Sequence, residues 1–161
     1  MATQKIYIHE FEESDYEVIA IHTTLEDSRL AYHINRQLEV LLARSEEDLQ
    51  IQVKDGLTGL SRFEFYDEAQ FITWNLVQNK SEIANVTSGT GDLFASLQEE
   101  IATTVYLLPE FKKVDYLLKI ENLEDDLDVE ALVKKISDIE WVSLAYCIDK
   151  DKLKSKHNLI F

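Results

Sequence analysis

A single proline, Pro109, stands among the 161 residues of the chain and sets the strongest local constraint on its fold. Proline fixes its own φ, lacks a backbone donor and biases the residue before it, Leu108, toward an extended conformation. A strand running in from Thr103 must therefore lose its hydrogen-bond ladder at this point. The run Val114 to Ile120 is apolar and β-branched enough to resume a strand, so the stretch Leu107 to Glu121 reads as the hinge of the fold.

The same stretch carries a motif. Leu108-Pro109-Glu110, three residues, then Val114-Asp115-Tyr116 resembles the signature of the IPExxxVDY family of small bacterial proteins, with Leu in place of Ile at the first position. The resemblance covers nine residues, and Tyr106 and Leu117 to Ile120 around it are also similar. It implies a housekeeping, cytoplasmic setting, with genes often near those of ribonuclease III and pyruvate kinase, and no particular reaction.

Length and composition point to one α+β domain spanning residues 1–161, since 45% hydrophobic content supports one substantial core in a chain of this size. The 31 acidic residues outnumber the 16 basic ones for a net charge of −15, shared by both halves of the sequence. Such a field repels phosphate backbones, so direct nucleic-acid binding is not expected. The lysines of the alternating stretch Asp149 to Lys156 read as a solvated segment. No apolar run is long enough for a membrane span, and the N-terminus lacks signal-peptide regions, so a cytoplasmic protein is expected. Cys147 is the only cysteine and falls in the apolar run Val142 to Ile148, where a buried, inert thiol is expected.

Along the chain, residues 1–14 alternate weakly and suggest an edge strand or arm. Tyr16 to His22 reads as a strand covered on at least one face. A helix follows, with Thr24 as N-cap, Asp27 three residues on, and Leu30, Ile34, Leu38 and Leu41 on one face to about Ala43. Leu49 to Val53 is a strand before turns at Asp55-Gly56 and Gly59, and Phe63/Phe65 with Phe71 to Leu76 form an antiparallel hairpin. Lys80 to Thr90 reads as a polar loop, and Asp92 caps a short helix through Ile101. Past the hinge come a strand to Glu121, a helix burying Val129, Leu132, Val133 and Ile136, and a strand from Trp141 to Ile148. The apolar Leu159, Ile160 and Phe161 suggest a docked tail. Two units thus share a strand, acidic turn, helix and strand, each opened by Asp-Tyr (Asp15-Tyr16 and Asp115-Tyr116). The expected architecture is an antiparallel or mixed sheet with two main helices packed on one face.

Signals of chemistry are sparse. The six carboxylates from Glu121 to Glu130 lack the glycine of a calcium loop and read as helix-start and solvated acids. Ser88-Gly89-Thr90-Gly91 lacks the lysine of a phosphate-binding loop. The four histidines show no metal spacing, although His22 and His33 can approach one another or Asp27 as a candidate base. The hinge offers Glu110, Asp115 and Tyr116 as binding candidates, and Arg29 and Arg36 as cations able to pair with them or with a partner. No nucleophile, metal set or cofactor loop emerges. The expected function is that of an acidic interaction or regulatory protein with a basic protein partner. The alternative is a small-molecule-binding protein or enzyme with a pocket near Pro109, His22 and Asp27.

Overall fold

The computed structural model describes residues 16–53, 56–84, 102–124 and 127–161. Among these residues ten strands and two α-helices run in the order β1 (Tyr16–Thr23), α1 (Asp27–Leu38), β2 (Ala43–Arg44), β3 (Leu49–Val53), β4 (Gly56–Leu60), β5 (Arg62–Asp67), β6 (Ile72–Gln78), β7 (Lys80–Ala84), β8 (Ala102–Tyr106), β9 (Tyr116–Glu121), α2 (Val129–Ser137) and β10 (Val142–Cys147). Six strands form one sheet in the order β10-β1-β9-β6-β5-β2, and every neighbouring pair is antiparallel. The hairpins β3-β4 and β7-β8 stand beside it.

The strand order has a simple logic. β9 and β10 both run antiparallel to β1, so they are parallel to each other, and α2 carries the chain from one to the other over β1. In the same way β1 and β6 flank β9, and α1 opens the connection between them. Two split β-α-β units therefore interlock in one sheet. The second strand-helix-strand repeat expected from the sequence, β9-α2-β10, is one of these units. The first is corrected, because Leu49–Val53 is β3 in a separate hairpin and β6 is the strand that completes the unit opened by β1 and α1.

Both faces of the central strands are covered, which explains their nearly unbroken apolar runs. Ile19 and Ile21 of β1, Leu118 and Ile120 of β9, and Trp74 and Leu76 of β6 pack on one face against Leu30 and Ile34 of α1 and Leu132 and Ile136 of α2. Their neighbours Val18, Ala20, Leu117 and Val77 face the other way. There the cover comes from Leu107, Leu108 and Val114 of the hinge and Leu153 and Leu159 of the C-terminal segment. Burying such a side chain contributes roughly 1.5–3 kcal/mol. The two helices lie on one face, as expected, and the hinge and docked tail close the opposite one.

Several local expectations are corrected. α1 ends at Leu38, because Glu39 turns left-handed at φ 55°, so Leu41 falls outside the helix and is 73% exposed. Its N-cap is Glu26, not Thr24; the Glu26 side chain caps nothing, and the Asp27 carboxylate accepts the Ser28 amide at 2.7 Å instead. Gly59 sits within β4 and not in a turn; a Cβ there would meet that of Asp48 at 2.9 Å, so its role is close approach. Lys80 to Ala84, read as loop, is β7 paired with β8. Cys147 is exposed on β10. The expected arm at 1–14, the Ser88 to Gly91 loop and the helix from Asp92 lie outside the described residues. The strand from Thr103 does end at the proline: β8 stops at Tyr106, Leu108 is extended, and Pro109 to Phe111 form a 3-10 turn.

Candidate functional site

The residue that organises the hinge is Asn79, fully buried at the end of β6. Its side-chain oxygen accepts the Leu108 amide at 2.9 Å, and its Nδ2 donates to the carbonyls of Phe111 and Val114, each at 2.9 Å. Its backbone donates to the Asp115 carbonyl and accepts from the Leu107 amide. A proline-broken segment leaves backbone groups in need of partners, and one buried asparagine side chain bonds three of them, the Phe111 carbonyl also accepting the Val114 amide. The sequence holds no sign of this, since Asn79 looks like an ordinary polar residue at a strand end.

Around that hub, each motif residue has an internal task. Leu108 and Val114 are core. One oxygen of Glu110 accepts the amides of Lys154 and Ser155 at 2.9 and 2.8 Å, while the other accepts the Ser155 hydroxyl at 3.0 Å, fastening the C-terminal segment. Partial burial by itself would raise the Glu110 pKa, but these donors outweigh it and hold the carboxyl below its ordinary range. Asp115 accepts the Thr23 amide at 2.9 Å and pairs with Lys80 at 2.7 Å. The Tyr116 ring lies in the helix-side core and its hydroxyl donates to the Leu25 carbonyl at 2.8 Å. Burial, with the charges of Asp27, Asp115 and Glu26, pushes that phenol up to about 12.

Asp115 and Tyr116 thus brace the loop between β1 and α1 from below. The brace continues outward, because the Thr23 hydroxyl accepts the Leu25 amide and donates to the Trp141 carbonyl at 2.7 Å. Trp141 is held in the left-handed region at φ 69° with its side chain 55% exposed, an arrangement that costs an L-residue on the order of 1 kcal/mol. Its ring lies 5.8 Å from that of His33, which in turn meets Tyr32 edge-on at 5.4 Å. Together with Thr24, Glu26, Ser28 and Arg29 these residues line an open groove of about 700 Å³ over the start of α1. Trp141 then leads directly into β10, one of the two edge strands of the large sheet among the described residues.

The predicted site residues therefore divide. Asp115 and Tyr116 share one end of the sheet with Asp27, which pairs with Arg44 at 3.0 Å. Arg29 reaches the groove they support. Glu110 is committed to the tail on the other face. His22 lies on the β1 face of Val18 and Ala20, where its ring neighbours Tyr146 at 5.8 Å and its buried Nε2 has no partner among the described residues. The expected approach of His22 to His33 or Asp27 does not occur, because adjoining side chains of β1 point to opposite faces. A second groove, about 540 Å³, borders Pro109 and lies between β3 and β8. It shares no lining residue with the first, so Pro109 and Asp27 do not line one pocket.

Lys119 is a further residue that sequence reasoning passed over. It is 4% exposed in the middle of β9, donates to the Leu159 carbonyl at 2.6 Å and pairs with Glu121 at 2.6 Å. The rings of Phe161 and Tyr16 lie 4.7 and 5.1 Å from its ammonium. A signal existed, namely one lysine within the apolar run Leu117 to Ile120. Of the acidic cluster, Glu121 is taken by Lys119, and Asp128 caps α2 by accepting the amides of Glu130 and Ala131. Among the described residues no group of three His, Cys, Asp or Glu side chains is placed to hold a metal ion. No helix among them is long and apolar enough to cross a membrane. No family model matches the chain, and no curated protein or solved structure matches it significantly.

Proposed function

We propose that this chain is a non-enzymatic interaction or regulatory protein that recognises a basic protein partner. The observation that carries the reading is the internal use of the motif's polar groups. Glu110, Asp115 and Tyr116 each bond backbone or hydroxyl groups of their own fold, as a scaffold requires, instead of converging on an open cavity. The bonds of Asp115 and Tyr116 support the Trp141 turn and the loop before α1, and exposed aromatics on a rigid support suit partner recognition. The net charge of −15 adds long-range attraction for cationic partners and repulsion of nucleic acid. A cytoplasmic location and kinship with the IPExxxVDY proteins belong to the same proposal, resting on the sequence signals and the motif.

Affinity capture from cell extract at low and at high salt tests the reading. Basic proteins retained at low ionic strength and released by salt are expected, since the Debye length shrinks from about 30 Å at 0.01 M to 3 Å at 1 M. Recovery of the protein alone at low salt overturns the proposal. A second reading, a small-molecule site, is favoured by the α1 groove with its Arg29 and Trp141 lining. Quenching of Trp141 fluorescence by a metabolite mixture freed of protein supports that alternative.

A further inference from the structure

β10 lies at one end of the sheet order, and among the described residues nothing pairs with its outer side. The Ile148 amide donates to the Val18 carbonyl at 2.8 Å. Antiparallel alternation then turns the amides and carbonyls of Ala145 and Cys147 away from β1. Natural edge strands are guarded by lysine, proline, bulges or brevity. From Trp141 to Ile148 this edge carries no charged residue and no proline, and Leu144 is half exposed. The bulge at His22/Thr23 lies at the start of β10, leaving Leu144 to Cys147 in regular register.

Resting on the reading above, we propose that the outer edge of β10 is where the basic partner docks, by adding an extended cationic segment as a further strand. Main-chain bonds to Ala145 and Cys147 supply affinity, and side chains of alternate residues meet Leu144 on one face and the Trp141 turn at the end. Charge selects the occupant. Exposed Glu140 and Asp149 flank the strand at its two ends, and the whole chain adds its field of −15. A second copy would bring an equal negative charge to the same edge, whereas a lysine- or arginine-bearing strand is attracted to it.

The test is residue-resolved amide exchange on the full chain with an eight-residue peptide alternating lysine and valine, against a glutamate–valine control. The lysine peptide is expected to slow exchange at Ala145 and Cys147 about tenfold or more, with no effect from the control. Leu144→Lys places a repelling charge on the edge, and Cys147→Pro removes an outward donor; each is expected to weaken binding about tenfold or more. If Cys147→Pro does not fold, Leu144→Lys alone decides. Binding of the lysine peptide with protection elsewhere and none on β10 overturns the docking edge but leaves the basic-partner reading intact. Absence of any salt-sensitive peptide binding overturns both. Ala145 and Cys147 already protected in dilute free protein, or protected only as protein concentration rises, shows the edge filled by the chain itself or by a second copy, and also overturns the proposal.

Discussion

The carboxamide of Asn79 holds the Leu108 amide at 2.9 Å, joining the end of β6 to the residue before the only proline. Replacing it leaves the buried Leu108 amide and Val114 carbonyl without this partner, while the Phe111 carbonyl keeps the Val114 amide at 3.0 Å. Each unsatisfied group costs roughly 1–3 kcal/mol. Asn79→Ala is expected to destabilise the fold by about 3–4 kcal/mol in urea unfolding. A loss below about 1 kcal/mol would show that the hinge is held by its apolar contacts alone.

Glu110 makes stability depend on pH. Its folded pKa lies below the unfolded value near 4.5, so its contribution is complete above that value and is lost as pH falls through the folded pKa. The folded state binds fewer protons in that window, and stability therefore rises with pH. Glu110→Gln is expected to flatten this acid limb, to cost on the order of 1 kcal/mol at neutral pH, and to loosen the segment from Lys154 onward. Proteolysis of that segment unchanged in the variant would show that Leu153 and Leu159 anchor it without help.

Tyr116→Phe removes the bond to the Leu25 carbonyl and keeps the ring in the core. About 1–2 kcal/mol of stability is expected to go, with the loop before α1 as the region that gains exchange. In the parent protein, ultraviolet titration is expected to find this phenol ionising last or near last, at about 12. A tyrosine set titrating uniformly near 10 contradicts the enclosed position.

Cys147 is accessible yet should be sluggish. Partial desolvation of the sulfur, its 3.4 Å contact with Glu17 and that carboxylate's charge raise the thiol to about 11. Alkylation by iodoacetamide at pH 8 is expected to run at least about tenfold slower than for a free thiol, because only the thiolate reacts. Glu17→Gln is expected to accelerate it. Equal rates in the two proteins count against the pairing.

Asp115→Ala tests the brace beneath the groove. It frees the Thr23 amide and the Lys80 ammonium, and a stability loss of about 1–2 kcal/mol is expected. The same change is expected to alter the emission of Trp141, which is tied to Thr23 through its carbonyl. Asp115→Asn keeps an acceptor for the amide and is expected to be milder; an equal loss in both variants would place the weight on the Lys80 pair.

The pattern of residues already determined the α+β class, the break at Pro109 and the helix from Val129, because these follow from periodicity and from proline's missing donor. Composition determined the negative field in the same direct way. Strand order, the cover of the second sheet face by the hinge and tail, and the work of Asn79 and Lys119 were decided only in three dimensions, since they join residues distant in sequence. The separation of His22 from Asp27 and the seating of Glu110 on Ser155 have the same origin: a side chain's partner is set by which face of which strand packs against it, and local spacing carries no record of that. The motif was legible as a string, but its role as a brace emerged only when Asp115 met Thr23 across the sheet.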